Sequence, residues 1–448
     1  MRSPLVGAYY SDWFPSNSTQ GTLRQHLLPN QGADPSKVDS ADPTVAEQAI
    51  SEASRNGINF FALDYWPSRP AQNENIDAFL RASNLHDIKF CILYETWDLG
   101  FDAAHESTPV TPLMEFYFDL GLLSFARTYF PNPNYLRIHG RPVLVLYLTR
   151  TLTGDVAGMI DGARRLLETH GYDPFLIGDE IYWRVTATDP PATGSWFTPT
   201  PQSSRLQLFD AVTAYSLYIG DPDEPFSPWQ DFVGYPGRTN IVADETHLYQ
   251  EYARASAGRV PVIPDVQPGV NTRGVRLAVN EPAEPRQWLR GKSSGSTIEH
   301  FLNQIAAPVV EPSLPVVFVT SWNEWNEDTA VQPVGGSPTS RDDSPTGAEY
   351  TQGYTYGGEG ATALAAIRDF VAVAWGEVRS DTGRSLAYVE VEALRGGKPV
   401  STTRTDAEGW YVLRRTSGTT GPLTIESTGG QVSLRASSVV AGRADIHT

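Results

Sequence analysis

Carboxylates and aromatic rings recur together at the ends of apolar runs in this chain. Leu63-Asp64-Tyr65-Trp66 closes one run, Tyr94-Glu95-Thr96-Trp97 a second, Gly178-Asp179-Glu180 a third and Pro264-Asp265 a fourth. The richest is Ser321-Trp322-Asn323-Glu324-Trp325-Asn326-Glu327, with two glutamates three residues apart. Any one of these acids could be a helix cap or a rim salt bridge. Brought together on one face, they would do more. Neighbouring carboxylates raise one another's pKa, which keeps a general acid protonated near neutral pH. Two carboxylates between aromatic walls is the chemistry of glycoside hydrolysis. Clustered acids also bind hard cations. However, the chain has no EF-hand loop and no HExxH, and its 8 His are scattered. A serine nucleophile would lack its GxSxG elbow. A metal is therefore the secondary reading of these acids, and no metal site or cofactor is assigned.

The elements that must position these acids alternate. Near-continuous apolar runs at residues 6–10, 58–65, 88–95, 142–148, 175–178, 211–215, 260–265 and 316–321 read as parallel strands covered on both faces. Helical patterns lie between them at 44–55, 75–85, 112–129, 155–170, 243–257 and 297–307, and a last helix is expected over 361–375. Asp42-Pro43-Thr44 offers the first helix a cap and an opening proline, and Gly57 follows its end. Strands alternating with helices predict an α/β fold, a (β/α)8 TIM barrel over 1–376. Its active site would lie at the C-terminal ends of the strands. An open doubly wound sheet is the alternative, but no GxGxxG follows the first strand. Two long loops are expected at that face. One spans 184–204; the other spans 335–360 and holds Tyr350, Tyr354 and Tyr356. From Gly376 the helical periodicity stops. Short alternating runs at 386–394, 410–413, 423–426 and 432–436 predict a small all-β sandwich over 377–448.

Composition narrows the partners. The 448 residues include 52 acidic and 34 basic side chains, a net charge of -18. The basic footprint that phosphate binding needs is missing, so neither nucleic acid nor an anionic membrane is an expected partner. No run approaches the roughly 18 apolar residues of a membrane span. The 11 Trp, 20 Tyr and 18 Phe mostly fill a core. Some can line a site for a ligand with apolar faces and many hydroxyls, such as a sugar. Cys91 is the only cysteine, so it forms no intrachain disulfide, and its apolar surroundings mark a buried structural thiol. No signal peptide is visible. A secreted or cell-surface protein whose leader is absent from this chain is expected, with a cytoplasmic one as the alternative. A monomer acting on a carbohydrate substrate is expected.

The run Ser321–Glu327 resembles the "(S/F)NEWxE" signature of glycoside hydrolase family 99, the endo-α-1,2-mannosidases and endo-α-1,2-mannanases, and of the family 99-like proteins of polysaccharide gene clusters. Other motifs follow in order. Val6-Gly7-Ala8-Tyr9-Tyr10-Ser11-Asp12-Trp13-Phe14 resembles the family's "xxYYxWY" opening. Ser40-Ala41-Asp42-Pro43 resembles "SxDP", Phe209–Tyr215 resembles "FDGxxxY", and Pro268-Gly269-Val270-Asn271-Thr272 with Arg276 resembles "PGYxDTxxR". The likeness spans roughly residues 5–375. It departs from the family where Asn326 replaces His, Asp328 replaces Gly and Gln332 replaces Glu. Separately, Thr405-Asp406-Ala407-Glu408-Gly409-Trp410-Tyr411 resembles the "TDxxGxY" turn of carboxypeptidase-regulatory-like and Cna-B-like sandwich modules.

The resemblance implies a retaining, endo-acting hydrolase of a neutral glycan. Glu324 would deprotonate the sugar's 2-hydroxyl, and Glu327 would be the acid/base. If their loop turns helically, residues three apart share a face, about 5–6 Å apart at Cβ, near the about 5–5.5 Å of a retaining pair. Tyr9, Tyr10, Trp13, Asp64, Tyr65, Trp66, Glu95, Tyr147, Glu180, Tyr215, Asp265, Asn271, Arg276, Trp322 and Asn323 are the expected substrate-binding residues. Tyr147 and Tyr215 could instead be core, and Glu180 and Asp265 could be salt-bridge or cap residues. A polysaccharide-biosynthesis glycosyltransferase and a non-catalytic glycan-binding protein remain as alternatives.

Overall fold

The computed structural model describes residues 3–14, 28–29, 38–102, 104–105, 107–181, 184–185, 201–215, 218–219, 241–271, 283–284, 286, 296–335, 337–338, 355–356, 360–436 and 441–448. Eight of its strands form one parallel sheet. In chain order they are β1 (Leu5–Tyr10), β2 (Phe60–Tyr65), β3 (Lys89–Glu95), β4 (Arg141–Tyr147), β5 (Phe175–Asp179), β6 (Ala211–Thr213), β7 (Asp265–Val266) and β8 (Val316–Val319). Each pairs with its sequence neighbour from β1 to β6, β7 pairs with β8, and β8 returns to β1 with Leu5 opposite Val316. The ring closes between β6 and the residues just before β7. There Ile263 N donates to Val212 O at 2.8 Å and Val212 N to Pro261 O at 3.0 Å. This is the (β/α)8 barrel.

The strands read as apolar on both faces because they are buried on both. Phe60, Phe61, Ala62 and Leu63 are fully buried, and so are Phe90, Cys91 and Ile92. Burial pushes the Cys91 thiol far above its ordinary pKa, as suits an inert core residue. Gly7 lets the Phe60 ring fill the barrel, since a Cβ at that position would overlap it.

The helices are α1 (Pro43–Ser54), α2 (Pro70–Leu80), α3 (Pro112–Tyr129), α4 (Val156–Thr169), α5 (Ser203–Leu206), α6 (Ile241–Ala255), α7 (Ser296–Phe301) and α8 (Thr362–Val371). Asp42 caps α1 by accepting from Thr44 N at 2.9 Å, with Pro43 in the first turn. The second helix begins five residues earlier than its apolar pattern implied, because Pro70 opens it. The last helix does not reach Trp375. It stops at Val371, where Arg415 N takes the Val371 carbonyl and a β-ladder replaces the helical bonds. Of the two expected long loops, 186–200 and 339–354 lie outside the described residues. Short pairings hold what flanks them: Arg184–Val185 with Tyr218–Ile219, and Ser337–Pro338 with Thr355–Tyr356.

After α8 come β9 (Ala372–Arg379), β10 (Glu390–Arg395), β11 (Lys398–Arg404), β12 (Trp410–Arg414), β13 (Gly421–Ser427) and β14 (Gly430–Ala436). They form two sheets, one ordered β11-β10-β13-β14 and one built on β9 and β12. Between the sheets lies a separate core that includes Val391, Ala393, Leu413, Leu423 and Ile425. This is the small β-sandwich. Its Thr405–Tyr411 turn is held by Asp406, whose Oδ1 accepts from Glu408 N at 2.9 Å and Trp410 N at 2.8 Å, while Gly409 adopts φ +87°. The sandwich rests on the floor of the barrel, where the strands begin. Arg55 pairs with Asp406 and Glu408 at 2.7 and 2.6 Å, and Arg414 donates to Asn59 at 2.8 Å. The C-terminal ends of the strands lie at the opposite end of the barrel. No helix among the described residues is long and apolar enough to cross a membrane.

Candidate active site

The C-terminal ends of six strands deliver side chains to one cavity of about 140 Å³. β1 and the turn after it bring Tyr9, Tyr10, Ser11 and Trp13; β2 brings Asp64 and Trp66; β3 brings Leu93, Glu95 and Trp97. Tyr147 follows from β4, Tyr215 from just beyond β6, and Glu324 with Glu327 from the loop after β8. The cavity therefore holds four carboxyl groups among aromatic rings, and no cationic side chain is among its described lining residues.

The loop after β8 is built to present its two glutamates together. Ser321 Oγ accepts from Glu324 N at 2.8 Å, and Glu324 Oε1 accepts from Asn326 N at 2.9 Å. Glu324 thereby caps a 3-10 turn, Trp325–Glu327. The turn is short enough that both its cap, Glu324, and its last residue, Glu327, reach the cavity. Glu324 is buried and Glu327 is partly exposed. The turn is anchored on both sides. Asn323 clamps the Ser11 backbone, accepting from its N–H at 2.7 Å and donating to its carbonyl at 2.8 Å. Asp328 closes the turn in the left-handed region at φ +54°. Arg286 holds it there: Nε donates to Asp328 Oδ1 at 3.0 Å, and Nη2 donates to the carbonyls of Asp328 and Ala330 at 2.9 and 2.8 Å.

Asp64 and Glu95 form a carboxyl pair across neighbouring strands. They lie close enough that each bears on the other's titration. Trp66 Nε1 donates to Asp64 Oδ2 at 2.7 Å. Burial raises the Asp64 pKa to about 7, against the lowering influence of Glu95 and of the Trp66 hydrogen bond. Burial and then the Asp64 charge hold Glu95 well above the usual carboxylate range. Buried Asp12 is raised in the same way, by desolvation and then by Asp64.

The tyrosines form a connected wall. Tyr215 lies 4.8 Å from Tyr9 and 4.9 Å from Tyr147, centroid to centroid. Burial, then Glu327, Tyr147 and Glu324, push the Tyr215 phenol far up, and burial and then Glu95 do so for Tyr147. Both stay protonated and can donate. Asp179 sets their backbones by accepting from Tyr215 N at 2.9 Å and Leu148 N at 3.0 Å, with Arg150 as its ion-pair partner.

Ten of the expected residues thus share the cavity: Tyr9, Tyr10, Trp13, Asp64, Trp66, Glu95, Tyr147, Tyr215, Glu324 and Glu327. Five others sit elsewhere. Tyr65 stacks on Tyr94 at 5.6 Å. Glu180 pairs with Arg205 at 2.7 Å, and Asp265 accepts from Thr320. Trp322 is fully buried against Phe61. Asn323 uses its amide on Ser11. Asn271 ends a short strand, Val270–Asn271, and its side chain and Arg276 lie outside the described residues. The structure adds Ser11, Leu93 and Trp97 to the lining. Trp97 had a signal, since it follows Glu95 by two residues at a strand end. Arg286 had none: it belongs to no motif and acts across 42 positions of sequence. Among the described residues no group of three or more His, Cys, Asp and Glu is placed to hold a metal ion.

Residues 5–337 match the model of a family described as Glycosyltransferase WbsX. A curated relative from Xanthomonas campestris pv. campestris, an uncharacterized protein WxcX, is 22% identical over 336 residues, covering 73% of this chain and 44% of its own length. The chain therefore spans less than half the length of the curated relatives it matches. Among solved structures, a glycoside hydrolase-like protein superposes with a TM-score of 0.57 at 18% identity, over 83% of this chain and 94% of its own. The GH99 endo-alpha-mannosidase from Bacteroides thetaiotaomicron, in complex with BIS-TRIS-propane, gives a TM-score of 0.51 at 16% identity, over 82% and 95%. At these identities the likeness to solved structures is one of fold.

Proposed function

The chain belongs to the family described as Glycosyltransferase WbsX, and from that membership we propose that it is a retaining, endo-acting enzyme of glycosidic bonds in a neutral glycan, with water as the acceptor. One observation carries the proposal: Glu324 and Glu327, at the cap and the end of one short turn, line one cavity, walled by aromatic rings and free of cations among its described residues. Aromatic faces suit the C–H faces of a sugar ring, and the acids suit its hydroxyls. A phosphorylated donor would meet repulsion from the four carboxyl groups.

In the proposed cycle Glu324 starts ionised and Glu327 protonated. Glu324 takes the proton of the sugar's 2-hydroxyl. The 2-oxygen bonds to the anomeric carbon as the bond to the leaving oxygen breaks, and Glu327 gives that oxygen its proton. The product of this half is a 1,2-anhydro sugar. Glu327 then takes a proton from water, whose oxygen opens the anhydro ring at the anomeric carbon, and Glu324 returns its proton to the 2-oxygen. Two inversions leave the configuration unchanged.

A second reading differs only in the acceptor: a sugar hydroxyl in place of water. The family's description favours it. Incubation with α-mannans, galactans and arabinans, with NMR of the first-formed anomer, tests the pair. Oligosaccharide release with retention supports hydrolysis, and turnover only with an added sugar acceptor supports transfer. Glu324→Gln and Glu327→Gln should each lower the rate by about 10³-fold or more, as losses of general acid or base do. Full activity in both would remove these residues from the mechanism.

A further inference from the structure

Helix α3 carries an apolar stripe that nothing in the described structure covers. Leu113, Phe116, Tyr117 and Leu120 are 64%, 60%, 53% and 57% exposed. Their spacing puts them on one face. The opposite face, with Met114, Phe118, Leu122 and Phe125, is the one buried in the core. The stripe is confined to the first half of the helix, the half nearest the open end of the barrel. Farther down the same exposed surface becomes Ser124, Arg127 and Thr128. A helix that served a general packing role would carry the stripe along its length.

Beside the stripe lies a groove of about 480 Å³, lined by Tyr65, Pro67, Leu99, Tyr117, Leu120 and Gly121 among others. Its walls are the loops that build the sugar cavity. Trp66 and Trp97 line the cavity, while Pro67 and Asp98, the residues next to them, line the groove. Ser68 ties the two loops together, donating from N and Oγ to the Asp98 carboxylate at 2.7 and 2.8 Å. Glu115 and Asp119 on α3 add negative charge, and Arg69 offsets only Asp98, at 4.0 Å. An anionic surface is therefore a poor occupant. The position points to an apolar group joined to the molecule whose sugar end fills the cavity.

We propose that this groove and stripe are the aglycone subsite of the enzyme, taking the neutral apolar moiety of an amphipathic glycoside. The inference rests on the cavity being a sugar site. It adds a substrate class: glycans attached to an alkyl or similar hydrophobic group. Each methylene buried in the groove should strengthen binding by about two- to fourfold.

The test compares matched methyl and hexyl glycosides of mannose, glucose and galactose, bound to Glu324→Gln protein so that nothing turns over. The expected result is a hexyl glycoside that binds at least about tenfold tighter than its methyl partner. Leu120→Ser and Tyr117→Ser, both at exposed positions, should abolish that advantage and leave methyl glycoside affinity unchanged. Equal affinity for the two glycosides overturns the subsite while the sugar cavity stands. A chain-length advantage that survives in both variants also overturns it. If no glycoside of either length binds, the sugar-site reading fails and the subsite with it. Sedimentation covers the remaining occupant: a dimer that either variant converts to monomer makes the stripe a self-interface and removes the proposal.

Discussion

Arg286→Ala should loosen the turn that carries Glu324 and Glu327, and the structure sets the size of the effect. The Arg286 and Asp328 side chains are 2% and 1% exposed. Removing the guanidinium takes an ion-pair partner from a buried carboxylate and withdraws a donor from two carbonyls. Breaking such a pair from one side costs about 3–5 kcal/mol. An unfolding entropy of about 2.1 cal/mol/K per residue, over 448 residues, makes this roughly a 3–5 °C fall in Tm. The rate should fall further than the stability implies, because a displacement of about 1 Å in a catalytic group can cost about 10²-fold. Asp328→Gly offers the control. It removes the buried carboxylate and places glycine at the left-handed φ of +54°. Because Arg286 keeps the carbonyls of residues 328 and 330, Asp328→Gly should cost less than Arg286→Ala, and the double variant should be no worse than Arg286→Ala alone. Calorimetry and the glycan-release assay measure both effects. An Arg286→Ala protein with unchanged Tm and rate would refute the reasoning, and so would a double variant whose losses simply add.

The Asp64–Glu95 pair gives stability a pH dependence of definite sign. The Asp64 pKa is raised from 3.8 to about 7 in the fold, so the native state holds a proton that the unfolded chain has released. That contribution is complete below pH 4 and disappears as pH climbs through about 7. Asp64→Asn should flatten the decline in Tm between pH 4 and 8, and identical slopes in the two proteins would exclude the raised Asp64 pKa. Gly7→Ala should push a methyl into the Phe60 ring and cost about 1–3 kcal/mol; an unchanged Tm would mean that the barrel floor can yield there.

The barrel was legible because its strands and helices have different periods and few ambiguities. Runs such as Phe60–Leu63 are apolar without alternation, and a parallel strand covered on both faces demands that. The same logic misjudged residues 372–375. Ala, Val, Ala and Trp suit a helix and a strand alike, and only the partner strand at Arg414 decides between them. The site was legible at one level and opaque at another. Strand-end acids could be found by position, since a barrel gathers all such ends at one mouth. Which way each side chain points could not. Asp64 enters the cavity while Tyr65 points outward to Tyr94, as alternation along β2 requires. Arg286 and Asp179 were invisible as positioning residues because their partners lie far away in sequence.

The same geometry gives the acidic composition a local meaning. Four carboxyl groups lining about 140 Å³ could not all remain ionised without severe repulsion. The fold lowers that cost by raising the pKa of both Asp64 and Glu95, chiefly through burial, and by keeping Tyr147 and Tyr215 protonated. The lining therefore offers donors as well as acceptors. A neutral polyhydroxylated ring matches that pattern, because each hydroxyl both donates and accepts. A phosphate or a uronic acid offers mainly acceptors and brings a charge of the wrong sign. On the proposed mechanism the raised Asp64 pKa has a second consequence. Ionising the pair as pH rises past about 7 adds negative charge beside the anionic Glu324. That charge opposes the negative charge that builds on the sugar's 2-oxygen as it loses its proton, so activity should decline on the alkaline side before any tyrosine titrates. Asp64→Asn should move that alkaline limb upward. A limb that stays in place would assign it to another group and leave Asp64 with the sugar hydroxyls alone.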